Sequence, residues 1–344
     1  MWSILFNILT VSAVVLGIHA EGSARESFPA QEIVVSHVTT IHAQAQPITV
    51  SRHENQRAQL LHQLDSGAIK GESKSLKQRV LEALYGFESY HHEKLERYES
   101  LYQNVPRRQK KILDTAIGYG HTFHELKQSQ SVNEAICREI VEAALTYYGI
   151  SRTELETFVR QERAANRNPD RESVSQALKL FVRDWALEGH NEREDSFPCI
   201  NSYLRQYFEV ADNGETDSVE VLVPGSGLGR LAHEIADLSA HFLVTANEWS
   251  SFVNAAYHYL ETITTAHSVS MYPFIELWSH LKTKKEMRRK VSFPDVPVNT
   301  SQVLLVEGDF TRVFKESSSG FDAIVTLFFI DTARNLMAYF EAIN

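Results

Sequence analysis

The stretch Val221–Arg230, Val-Leu-Val-Pro-Gly-Ser-Gly-Leu-Gly-Arg, restricts the fold more than any other part of the chain. An apolar run breaks into three alternating glycines and then into a helical pattern, the order strand, tight turn, helix N-terminus. In that layout backbone N–H groups can approach a nucleotide-like ligand closely. Strand patterns fall at Glu220–Val223, Phe242–Ala246, Val303–Glu307 and Asp322–Phe328, with helical patterns among them. That alternation predicts an α/β fold with a parallel sheet, whose ligands bind at the carboxyl ends of the strands.

The flanks narrow the ligand. A dinucleotide turn needs a small residue where Arg230 stands, so that helix and strand can pack closely. Glycines alternating as Gly225, Gly227 and Gly229 instead suit S-adenosylmethionine, with its aminocarboxypropyl arm against the turn. Glu248, 23 residues after Gly225 at the end of the second strand, can accept hydrogen bonds from ribose hydroxyls. After the third strand, Asp309 can accept from an adenine amine and Phe310 can pack on the ring. A carboxylate after a strand is also an ordinary helix N-cap, which explains single instances better than a series.

Upstream the periodicity is helical. Leu76, Val80, Leu84 and Phe87 recur at steps of three and four, and Ser131–Glu134 has the form of a capping box opening a helix that Gly149 ends. The polar run Asn166–Asp170 marks the expected boundary between a helical region, 57–170, and a catalytic region, 171–344, that carries an insertion at 250–301. Within the insertion, Lys282–Lys290 holds six basic residues and one acidic, expected as a solvated helix face, and Asn299-Thr300-Ser301 is a glycosylation acceptor pattern that matters only in a secreted chain.

At the other end, Trp2–Ala20 has the length and small-residue ending of a secretory signal peptide, and 21–56 reads as a poorly ordered linker. A formal net charge of −10 argues against a nucleic-acid partner over the whole surface, and no stable membrane span is expected. Cys137 and Cys199 are expected as two unpaired thiols. His121, His124 and Glu125 lack the H-E-x-x-H spacing of a zinc helix and read as surface or packing residues, with no metal required.

Five segments together resemble the carnosine N-methyltransferase family, also called N2227-like proteins. They are Arg183-Asp184-Trp185 with Glu192-Arg193, Leu222–Ala232, Asn247–Ser250, Gly308–Phe310 and Phe328-Phe329-Ile330-Asp331-Thr332-Ala333. The resemblance implies a Rossmann-like class I methyltransferase sheet, of which strands 1 to 4 are present, preceded by a helical N-terminal region. It implies S-adenosyl-L-methionine as cofactor, with Arg183 at its carboxylate, Gly225 and Gly227 along its methionine arm, Glu248 at the ribose, and Asp309 and Phe310 at the adenine. Asp331 would be catalytic, meeting the imidazole of a small histidine-containing peptide such as carnosine, and a homodimer is a further expectation.

Family members continue with a Gly-rich turn, a fifth strand and a closing antiparallel pair, whereas this chain stops at Asn344. The expectation is thus a fragment, an incomplete gene model, or a non-catalytic member kept as a binding module, with one apolar sheet edge unpaired. Localisation is expected to be secretory if the N-terminal signal acts, and cytoplasmic and nuclear, as in the family, otherwise.

Overall fold

The computed structural model describes residues 14–17, 47–67, 73–90, 93–208, 218–275, 277, 281–314 and 320–344. Strand β1 (Val14–Gly17) precedes helices α1 (Pro47–Asp65), α2 (Leu76–Glu88), α3 (Glu93–Gln103), α4 (Arg107–Ile117), α5 (Tyr119–Tyr148), α6 (Arg152–Ala164), α7 (Arg171–Trp185) and α8 (His190–Tyr207). Strands and helices then alternate as β2 (Val219–Pro224), α9 (Arg230–Ala236), β3 (Phe242–Glu248), α10 (Ser251–Leu260), β4 (Val269–Met271), α11 (Lys284–Met287), β5 (Val291–Phe293), β6 (Val303–Glu307), α12 (Phe310–Val313), β7 (Ala323–Thr326) and α13 (Leu336–Ile343).

The main sheet has the order β1-β7-β2-β3-β6, with β7, β2, β3 and β6 mutually parallel. These are the four expected strands, and the α/β class follows from them. Val221, Leu222, Val223, Val244 and Ala246 are all buried, as strands covered on both faces must be. The edge expected to lie bare is lined by β1, antiparallel along β7 from Val14 opposite Thr326 to Gly17 opposite Ala323. The rest of the expected signal segment lies outside the described residues.

One hydrophobic cluster runs from Leu60 and Leu84 in the N-terminal helices through Trp185 to Val223, Val244 and Val325 of the sheet. Each fully buried side chain of this kind contributes roughly 1.5–3 kcal/mol. The packing therefore crosses Asn166–Asp170, where Asp170 caps α7 by accepting from the Ser173 N–H.

Four local expectations change. The linker expected over 21–56 gives way to α1 from Pro47. Ser131 opens no helix: it lies inside the 30-residue α5, and its hydroxyl donates to the Lys127 carbonyl one turn back. The expected insertion begins with α10, whose residues are nearly all buried, so it is part of the core rather than an addition. The basic run beyond it is only partly solvated. Lys284 donates to the Ile117 carbonyl and the Thr122 hydroxyl, Arg288 pairs with Glu125, and the Arg289 guanidinium sits over Phe274.

Among the described residues no helix is long and apolar enough to cross a membrane. Cys137 is buried and Cys199 exposed, and no disulfide joins them.

Candidate active site

The glycine turn follows directly on β2. Gly225 and Gly227 have φ of 64° and 58°, in the left-handed region where a side chain is strained. Space forbids one as well: a Cβ on Gly225 would stand 2.3 Å from Cδ2 of Phe329, and one on Gly227 would stand 2.9 Å from Nη2 of Arg183. The backbone here is approached closely from both sides.

From one side comes the end of α7. The buried Asp184 carboxylate accepts from Arg183 Nε at 2.6 Å and Nη2 at 3.2 Å, and from the Leu228 N–H at 3.0 Å. Trp185 Nε1 donates to the Leu228 carbonyl at 2.7 Å. Both backbone groups of Leu228 are thus fixed by α7, and the same carboxylate aims the Arg183 guanidinium across Gly227.

From the other side comes the end of β3. Glu248 Oε2 accepts the Gly227 N–H at 3.1 Å and Oε1 the Ser250 N–H at 2.8 Å. Burial raises the pKa of this carboxyl, and the backbone N–H bonds oppose the rise. The Glu248 carbonyl accepts the Gly308 N–H at 3.0 Å, and Asn247 Nδ2 donates to the carbonyls of Val306 and Gly308. The ends of β2, β3 and β6 are therefore joined by hydrogen bonds at one edge of the sheet.

Asp309 caps α12, its Oδ1 accepting the Thr311 N–H and hydroxyl, while Oδ2 lies 3.5 Å from Arg312. The N-cap role that sequence left open is thus one it fills. Phe310 is buried and meets Phe329 edge-on at 5.5 Å between ring centroids. Phe329 in turn covers Gly225 and stacks on Tyr339. Asp331 is exposed, on the single turn Ile330–Thr332 that follows β7. The structure so gathers Arg183, Gly227 and Glu248 into direct contact, with Gly225 on the same turn and Asp309, Phe310 and Asp331 after the neighbouring strands.

A solvent-open cleft lies beside the turn, lined among others by Arg183, Glu192, Ser196, Phe197, Gly225 and Phe328. Phe328 has a φ of 52°, a conformation a bulky residue adopts only when its surroundings impose it. Beneath the cleft Arg193 donates to the carbonyls of Arg183 and Ala186 and, with Arg230, to Asp295. Arg230 thus has a partner in the loop after β5, and its ring neighbour is Trp185.

Asp184 and Asn247 stand in the resembling segments but carry no role from sequence, and Asp295 stands in none of them. Asp184 adjoins the implied Arg183 and Asn247 adjoins Glu248, so proximity to a marked residue was a usable signal; Asp295 had none. His121 lies largely exposed beside Glu125, and His124 bonds to Gln128. Among the described residues no group of three or more His, Cys, Asp or Glu is placed to hold a metal ion.

The family model described as carnosine N-methyltransferase matches residues 160–344. A mouse carnosine N-methyltransferase is 27% identical over 279 residues, 77% of this chain and 65% of that protein. The fission yeast Schizosaccharomyces pombe has one that is 33% identical over 181 residues, 50% of this chain and 48% of its own. A third, from Drosophila melanogaster, is 33% identical over 171 residues, 48% of this chain and 37% of that protein. The matched stretch thus spans less than two thirds of these relatives' length.

Proposed function

Because the chain belongs to the carnosine N-methyltransferase family, we propose that it binds S-adenosylmethionine at the glycine turn and methylates an imidazole nitrogen of carnosine or a related histidine-containing dipeptide. On this reading the sheet is that of a class I methyltransferase. The observation that carries it is the junction of three strand ends at Glu248, whose carboxylate takes Gly227 and whose carbonyl takes Gly308.

The residues fit the cofactor. The positive φ of Gly225 and Gly227 leaves backbone rather than side chain facing the cleft, and the Arg183 guanidinium stands beside Gly227, suited to a carboxylate. Glu248 offers acceptor lone pairs at the strand end where ribose hydroxyls belong in such sheets. When bound, S-adenosylmethionine supplies a methyl group already activated by the sulfonium.

What remains for the chain is positioning and charge. A neutral imidazole has one N–H and one lone pair. Asp331, exposed on the turn after β7, would accept that N–H and so leave the other nitrogen's lone pair free for the methyl. With S-adenosylmethionine bound, a nitrogen–carbon bond would form as the carbon–sulfur bond breaks, and positive charge would develop on the ring. The Asp331 carboxylate stabilises that charge and leads the N–H proton away afterwards. Alignment of the two reactants supplies at most on the order of 7–11 kcal/mol of the rate enhancement.

Calorimetric titration of the 344-residue chain with S-adenosylmethionine tests the first half, and methyl transfer to carnosine from a labelled donor tests the second. A saturable 1:1 heat and labelled methylcarnosine are expected. Absence of heat from the folded chain removes the reading.

A further inference from the structure

One buried carboxylate links the N-terminal helices to the edge where the candidate site lies. Glu307 ends β6 and directly precedes Gly308 and Asp309, and its side chain is 2% exposed. The Tyr148 hydroxyl, from the last residue of α5, lies 3.0 Å from its Oε1 and 2.9 Å from its Oε2. His258 Nε2, on α10, is 3.0 Å from Oε1, and Asn254 Nδ2 donates to Oε2 at 3.1 Å. Asn254 Nδ2 also reaches the Glu248 carbonyl at 3.3 Å. The other nitrogen of His258 meets Glu261 at 2.8 Å, and the Tyr147 ring stacks on the imidazole with centroids 3.4 Å apart.

A carboxylate so far from water is expensive unless paired and fully hydrogen-bonded, and an apolar side chain would fill the space more cheaply. Packing alone gives no reason for it. Directed bonds do something packing cannot: they set the position of one residue in a chosen geometry. The residue so fixed is the one after which β6 turns, at a Gly308 with φ of 132°. Asn247 and the Glu248 carbonyl hold the far side of that turn.

We propose that Tyr148, His258 and Glu307 are positioning residues for S-adenosylmethionine, fixing the end of β6 so that Asp309 and Phe310 stand in register with Glu248. This rests on the cofactor reading above. It gives the helical region a direct part in the site, since α5 contributes the hydroxyl.

The test is Tyr148→Phe, which removes one oxygen atom, with Glu307→Gln as a second variant that keeps the shape and loses the charge. Each is titrated with S-adenosylmethionine by calorimetry, and amide hydrogen exchange is followed at residues 308–312. Weakening of Kd by about tenfold at unchanged stoichiometry, with faster exchange confined to that turn, is expected. A purely structural role lowers the stoichiometry, as molecules unfold, and leaves Kd alone; that result overturns the inference. So does a folded Tyr148→Phe chain with wild-type Kd. A wild-type chain that binds no S-adenosylmethionine overturns the cofactor reading and this inference together, which separates the two failures.

Discussion

Asp295 takes two guanidinium groups at once, Arg193 on Oδ2 and Arg230 on Oδ1, with all three side chains at most 11% exposed. Its own N–H donates to the Trp185 carbonyl, so the loop after β5 is bound to the end of α7 and the start of α9. Asp295→Ala leaves two buried cations without their shared anion. A loss of about 3–5 kcal/mol is expected, since breaking a buried pair strands the remaining charge. Urea unfolding measures it as a lower midpoint at constant m. A loss within 0.5 kcal/mol, as for ordinary surface positions, contradicts the assignment.

Gly225 and Phe329 are similarly coupled. An alanine at 225 carries the left-handed strain of roughly 1–2 kcal/mol and also overlaps the Phe329 ring, worth about 1–3 kcal/mol of overpacking. Gly225→Ala is therefore expected to destabilise by about 2–5 kcal/mol. In the double variant with Phe329→Ala the overlap vanishes while the strain stays, so the two losses do not add. A double-mutant cycle with no interaction energy contradicts the contact.

Strand positions were largely legible, and candidate site residues could be named, because each signal is local. An apolar run, a glycine alternation and a carboxylate after a strand are read within a few residues, and the four parallel strands lie where the pattern placed them. Contacts between distant segments were not legible. Nothing near Asp295 announces Arg193, 102 positions away, and nothing near Tyr148 announces Glu307, 159 away. The capping box at Ser131 shows the converse. Its local pattern was sound, but α5 had already begun at Tyr119, and within a helix the hydroxyl turned to the carbonyl behind it. Phe310 belongs here too: an aromatic after β6 reads as a platform for a ring, and the structure fills its surroundings with Phe329 and Tyr339.

Asp331→Asn separates binding from chemistry. The amide keeps the size of the side chain and an acceptor oxygen but loses the charge that offsets the developing imidazolium. The expected result is an unchanged Kd for S-adenosylmethionine and turnover lower by about 10²–10⁴, the usual range for a positioned acid or base. Single-turnover transfer to carnosine measures it. Equal rates in the two proteins exclude Asp331 from the reaction.

Two buried histidines give stability opposite dependences on pH. Burial disfavours the His258 cation, but its bonds to Glu261 and Glu307 outweigh that and raise its pKa from 6.5 to about 9, with Tyr147 and Tyr148 packed around it. Its contribution is complete below pH 6.5 and lost as pH rises through about 9. His233 is pushed down to about 3, by burial first and by Arg230 second, while it bonds to the Tyr257 hydroxyl. The unfolded chain protonates there from pH 6.5 downward and the folded chain does not, so stability falls between pH 6.5 and about 3. Each limb has a slope of at most about 1.4 kcal/mol per pH unit, the value for one proton. Urea midpoints measured from pH 5 to 9.5 are expected to peak near neutrality. His233→Gln should flatten the acid limb and His258→Gln the alkaline one, each leaving the other unchanged. An alkaline slope that survives in His258→Gln assigns the proton elsewhere and removes His258 as a buried cation.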